Sequence, residues 1–281
     1  CLNQTGTAGA TGTARKLWRI LFITISKTDS MKIIFLSGGA REKALRNLLE
    51  KGENIEAVIV PLITKSNDRF KNVIFTAIEF GVKVIPVKKN EIFKALKDID
   101  FDLLISCGFP YILDESVINL GKLAINVHPT LLPQYRGYRS APFIIINGEK
   151  QSGITVHLLT KEMDRGDIIL QESFDVSEFD TTKSLFLKAQ EFEVDVLFKA
   201  IQIIKKGNVK YTAQDESKAS EYNYIRTPKD SKIDSNKSLN DLYNYIRACD
   251  HEDYPAFFYV NNEKVFIKLW RNNKDKNKHQ I

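Results

Sequence analysis

From Met31 onward, short β-branched apolar runs alternate with stretches whose apolar residues recur at helical spacing. No other feature restricts the fold as much. Residues 33–36 read as a strand, and Ser37-Gly38-Gly39-Ala40 turns the chain into a helix with Leu45, Leu48 and Leu49 on one face. Strands follow at 57–60, 82–87, 103–106 and 123–126, with helices at 70–80 and around 92–96. Such repeats predict parallel pairing, right-handed crossovers and helices on both faces. The expected fold is therefore α/β: a Rossmann-like, doubly wound, mostly parallel sheet. Two further strands, 154–159 and 168–174, precede a long amphipathic helix at 183–205.

The chemistry-bearing stretch begins where the fifth run ends. Asn126 and His128 lie two residues apart, so on a strand they share a face. Pro129 cannot donate to a ladder, so both side chains are left at the strand's carboxyl end, where open parallel sheets hold ligands. Asp164 falls in a glycine-flanked loop between the two later strands. A carboxamide, an imidazole and a carboxylate suit acyl transfer to an amine, which passes through a tetrahedral intermediate with charge on oxygen. Asn126 is a non-titrating donor to that oxygen, a contact that contributes roughly 3 kcal/mol. His128 has two readings, oxyanion stabiliser or acceptor of the amine proton. Asp164 likewise either orients the imidazole or relays the proton through water. His157, inside an apolar run, reads as a satisfied structural histidine, and His251 and His279 carry no signal.

The run Asn126-Val127-His128-Pro129-Thr130-Leu131-Leu132-Pro133-Gln134-Tyr135-Arg136-Gly137 is joined by Asn147-Gly148-Glu149, Ser152-Gly153-Ile154-Thr155 and Asp164-Arg165-Gly166-Asp167-Ile168. Together they resemble the folate-dependent formyltransferases, a family that includes glycinamide ribonucleotide transformylase, methionyl-tRNA formyltransferase and the sugar-nucleotide N-formyltransferases. Thr130 stands where the family has Ser and keeps the hydroxyl. The resemblance covers most of residues 31–205. It implies catalytic roles for Asn126, His128 and Asp164, with 10-formyltetrahydrofolate as co-substrate. It also implies that the loop after the fourth strand presents backbone groups to the pterin, which places Phe109, Tyr111 and Ile112 at the donor. Arg136 is expected there too, because Arg136 and Arg139 suit bidentate contact with the donor's acidic tail or with a substrate phosphate. Ser37-Gly38-Gly39 lacks both the dinucleotide fingerprint and the Lys-Ser/Thr of a phosphate loop, so a tight turn is its first reading.

Three regions are expected: a disordered leader at 1–30, a catalytic domain at 31–206, and a small α+β, OB-like subdomain at 207–281. Within the last, 211–220 is polar and linker-like, a helix spans 239–248, and strands fall at 256–260 and 264–270. This subdomain resembles that of the sugar and tRNA enzymes and argues against a glycinamide ribonucleotide transformylase. Cys1, Cys107 and Cys249 are scattered, without metal spacing, which fits a reducing, cytoplasmic setting and no bound metal. No apolar stretch reaches the ~18 residues of a membrane span. The net charge of +6 is unevenly spread. Residues 1–30 hold four basic against one acidic residue and residues 205–281 fifteen against eleven, but residues 31–204 hold 22 against 23. An RNA enzyme needs a basic surface near its site, and the connection at 61–69 is short and only mildly basic. The expected acceptor is therefore a small-molecule primary amine, a nucleotide-linked amino sugar. Methionyl-tRNA and hydrolysis of the formylfolate are the alternatives, and a homodimer is kept open as the assembly.

Overall fold

The computed structural model describes residues 30–62, 70–137, 139–207, 209–222, 224, 226–249 and 253–272. The expectations for residues 1–29, the 63–69 connection, His251, His279 and the 273–281 tail lie outside them.

Seven strands form one sheet: β1 (Lys32–Ser37), β2 (Asn54–Pro61), β3 (Lys83–Val87), β4 (Leu103–Cys107), β5 (Leu123–His128), β6 (Gln151–Leu158) and β7 (Ile168–Asp175). Their order is β3-β2-β1-β4-β5-β6-β7. β1 to β5 pair in parallel, whereas β6 and β7 are antiparallel additions at one side. Strand order reverses between β1 and β4, the kind of position where open α/β sheets form their ligand crevice.

The apolar alternation assigns each strand residue to one of two cores. Ile33, Phe35, Leu103 and Ile105 face α1 (Glu42–Glu50), α2 (Lys71–Glu79) and α6 (Thr182–Lys205). Ile34, Leu36, Leu104 and Ala124 face α3 (Ile92–Leu96) and α4 (Glu115–Ile118). A sheet covered on both faces requires such continuous apolar runs. The long helix α6 starts with a reciprocal cap, in which Ser184 N donates to Thr181 Oγ1 and Thr181 N donates to Ser184 Oγ. The fifth strand runs two residues beyond its expected end at Asn126, through His128, so both polar residues lie within the ladder.

Between β5 and β6 lies the short helix α5 (Ala141–Ile146), and α7 (Leu239–Ala248) packs nearby. Beyond it, β8 (Ala256–Val260) and β9 (Glu263–Ile267) form a hairpin through Asn261 and Asn262. Both turn residues have positive φ, 47° and 68°, as a two-residue turn matched to strand twist requires. Among the described residues the carboxyl-terminal part combines this helix and this antiparallel pair with short 3-10 turns at Glu216–Lys218 and Pro228–Ser231, and Ile233, Leu242, Ile246, Cys249 and Ala256 form its core. No described helix is long and apolar enough to cross a membrane.

Candidate active site

Asn126, His128 and Asp164 meet at the carboxyl end of β5. His128 Nδ1 lies 3.5 Å from Asp164 Oδ2, and Asn126 Nδ2 lies 3.4 Å from Asp164 Oδ1. The loop after β6 carries Asp164 back over the strand end with φ of 57°, in the left-handed region that few non-glycine residues occupy. Gly137 N donates to Asp164 Oδ2 at 2.9 Å, so the carboxylate is also held from the loop that follows β5.

A second imidazole completes the cluster. His157 Nε2 is 3.2 Å from Asn126 Nδ2 and 3.6 Å from Asp164 Oδ1. Hydrogen-bond partners assign both tautomers, because a carbonyl oxygen only accepts. His157 Nδ1 donates to Leu158 O at 2.8 Å, which leaves Nε2 to accept from the Asn126 amide. His128 Nε2 donates to Tyr135 O at 2.9 Å, which turns the Nδ1 lone pair toward Asp164. Tyr135 itself has φ of 59°, a costly conformation for a bulky residue, and it aims this carbonyl at the ring.

Burial works against the charge on Asp164, but His128, His157 and the Gly137 amide outweigh it and hold the pKa at about 2. Burial also pushes His128 below the ordinary imidazole range, and the neighbouring carboxylate only partly offsets this. An ionised acid thus sits beside a neutral ring with a free lone pair, a pairing able to take a proton from an incoming group. Asn126 and Asp164 keep partial exposure, so the cluster reaches the surface. Among the described residues no group of His, Cys, Asp and Glu is arranged to hold a metal ion.

The residues expected at the donor divide. Phe109 and Tyr111 sit in the loop after β4, beside β5, with rings in edge-to-face contact at 5.4 Å. Both pack on the sheet, while Ile112 is 52% exposed. Arg136 departs from expectation: it is 1% exposed, and its guanidinium is spent internally. Nε and Nη2 donate to Gln214 Oε1, and Nη1 and Nη2 donate to Glu216. A buried cation requires such partners, so Arg136 is committed to the protein and not to a ligand's anionic tail. Arg139 is exposed.

His157 is buried and satisfied, as the sequence implies, but its contact with the cluster was not legible because its apolar neighbours mark only a buried strand. Its place opposite Asn126 depends on the β5–β6 register. Gln214, in a polar stretch that reads as linker, donates to Asp164 O and Gly166 O, each at 2.8 Å. No local pattern marks it.

The pattern of the Formyl transferase family matches residues 31–201, and that of the methionyl-tRNA formyltransferase C-terminal domain matches residues 228–280. The bifunctional polymyxin resistance protein ArnA of Wigglesworthia glossinidia brevipalpis is 36% identical over 190 residues, 65% of this chain but 29% of that protein. A methionyl-tRNA formyltransferase of Fusobacterium nucleatum subsp. nucleatum is 33% identical over 78% of this chain and 73% of its own. The solved structure of WlaRD, a sugar 3N-formyl transferase in the presence of dTDP and 5-N-formyl-THF, superposes with a TM-score of 0.68 at 25% identity. That superposition covers 84% of this chain and 85% of the other. A family pattern spanning the whole sheet and its site places this chain in the formyl transferase family, as an enzyme that transfers formyl groups.

Proposed function

We propose that the enzyme moves the formyl group of 10-formyltetrahydrofolate to the primary amine of a nucleotide-linked amino sugar. The convergence of Asn126, His128 and Asp164 carries the transfer half of this reading. The amine attacks the formyl carbon and loses a proton to His128 Nδ1, and the imidazolium so formed is stabilised by Asp164 Oδ2. Asn126 Nδ2 donates to the developing oxyanion, giving up its longer contact, the one to Asp164, and keeping the one to His157. The donor supplies an activated formyl carbon; its bond to N10 breaks, N10 takes up a proton, and tetrahydrofolate leaves as the new amide forms. Phe109, Tyr111 and the exposed Ile112 offer an apolar wall in the loop after β4, the strand next to β5, that suits a flat pterin.

Two observations support the sugar acceptor: the likeness to a sugar enzyme crystallised with dTDP, and the near balance of charge in residues 31–204. Methionyl-tRNA is the second reading, favoured by the 33% identical relative and by the pattern at residues 228–280. The buried free thiols of Cys107 and Cys249 suit a cytoplasmic site of action. The deciding experiment supplies 10-formyltetrahydrofolate with dTDP-3-aminofucose and related dTDP-amino sugars, with methionyl-tRNA, or with no acceptor. Amide formed on a sugar supports the proposal, whereas turnover confined to methionyl-tRNA overturns the acceptor. Formate released equally without acceptor would make the enzyme a hydrolase.

A further inference from the structure

Beyond α6 the chain runs back across the catalytic loops, between the two stretches that the family patterns match. It has little regular structure, yet its backbone is paired with those loops. Thr212 and Ile168 exchange hydrogen bonds of 2.9 and 2.8 Å. Ser220 N donates to Pro133 O, Arg136 N donates to Ser220 O, and Tyr222 N donates to Arg136 O. Ser220 Oγ accepts from Tyr135 N at 2.9 Å. The residue whose carbonyl fixes the His128 tautomer is thus itself held by this strap.

Gln214 does the same for the other partner. Its Nε2 donates to the backbone oxygens of Asp164 and Gly166, on either side of Arg165. Its Oε1 accepts two bonds from Arg136, at 3.1 and 2.7 Å, and Arg136 is anchored in turn by Glu216. Both amide protons and both lone pairs of one carboxamide are therefore used between the Asp164 loop and the loop after β5. A left-handed aspartate persists only where its surroundings over-determine it, and Gln214 supplies that constraint.

We propose that Gln214 is a positioning residue: it sets the backbone of Asp164 so that the carboxylate meets His128 and Asn126, with residues 211–222 acting as the template. This rests on the catalytic role proposed above for Asp164. Gln214→Glu discriminates, because a glutamate still accepts from Arg136 but has no proton for the carbonyls of Asp164 and Gly166. In the full chain, with 10-formyltetrahydrofolate and whichever of dTDP-3-aminofucose or methionyl-tRNA the wild type formylates, kcat is expected to fall at least tenfold. The KM for the donor should stay within threefold and the melting temperature close to that of the wild type. Hydrogen exchange at residues 163–167 should speed up while β1 and β4 stay unchanged. Gln214→Met, uncharged and of similar shape, replaces the glutamate should that variant fail to fold. Wild-type kcat together with wild-type exchange at 163–167 overturns the proposal. So does a loss of kcat that tracks a loss of stability, the mark of a merely structural residue. Full activity in Asp164→Asn would instead defeat the catalytic role of Asp164, and the exchange measurement would still decide what Gln214 does to the loop.

Discussion

Asn126 and His157 face each other across the antiparallel pairing of β5 with β6, and their side chains meet with Nδ2 3.2 Å from Nε2. The amide is thereby oriented by a ring whose own tautomer is set by Leu158 O. His157 is the buried, satisfied histidine that its apolar neighbours imply, and it also holds one end of the Asn126 carboxamide.

Removing that ring should reduce catalysis without removing it. His157→Ala is expected to lower kcat roughly tenfold, the equivalent of about 1.4 kcal/mol of lost orientation. Steady-state kinetics would show it, and an unaltered kcat would return His157 to a purely structural role.

The two titrating members should matter more. His128→Ala removes the proposed proton acceptor and Asp164→Asn the carboxylate beside it, and each is expected to slow formyl transfer at least ~100-fold. Circular dichroism should show the fold retained. Activity close to normal in either variant would take that residue out of the mechanism.

The pH dependence follows from burial. Burial makes His128 titrate below its ordinary 6.5, so the neutral ring predominates at pH 7. The acid limb of kcat/KM should therefore fall below pH 6.5, and a limb above 7 would contradict the assignment. An unfolded chain binds this proton more readily than the folded one. The ring's contribution to stability is thus full above pH 6.5 and is lost as pH falls beneath it. Asp164, depressed from 3.8 to about 2, favours the folded state above pH 3.8 and loses that effect as pH falls toward 2.

Gly166 admits no side chain. A Cβ there would lie 1.9 Å from Leu158 O, a backbone atom that cannot step aside without disturbing β6. Gly166→Ala should displace the Asp164 loop, costing roughly 1–3 kcal/mol of stability and most of the activity. Denaturant titration beside an activity assay would test this, and an unchanged midpoint would show that the loop yields more easily than its packing implies.

Much of the framework was legible in the sequence because it is governed by local periodicity. Alternating apolar residues in Ile33–Leu36 and Leu103–Ile105 report a sheet covered on both faces, as found. Asn126 and His128 were readable as a pair because a strand's side-chain period is two. Arg136 was misread, since an arginine after a motif looks the same in sequence whether it meets a ligand or, as here, Gln214 and Glu216 some 80 residues later.

By itself, then, the chain's order of residues determined the elements, their parallel core and the shared face of Asn126 and His128. Those depend on spacing within a few residues, where backbone geometry is nearly invariant. Only the tertiary structure decided that His157 orients Asn126, that Arg136 is internal, and that Gln214 holds the Asp164 loop. These contacts join segments 31 to 80 residues apart. Strand register and the path of a chain with no periodicity set them, and no local propensity encodes either.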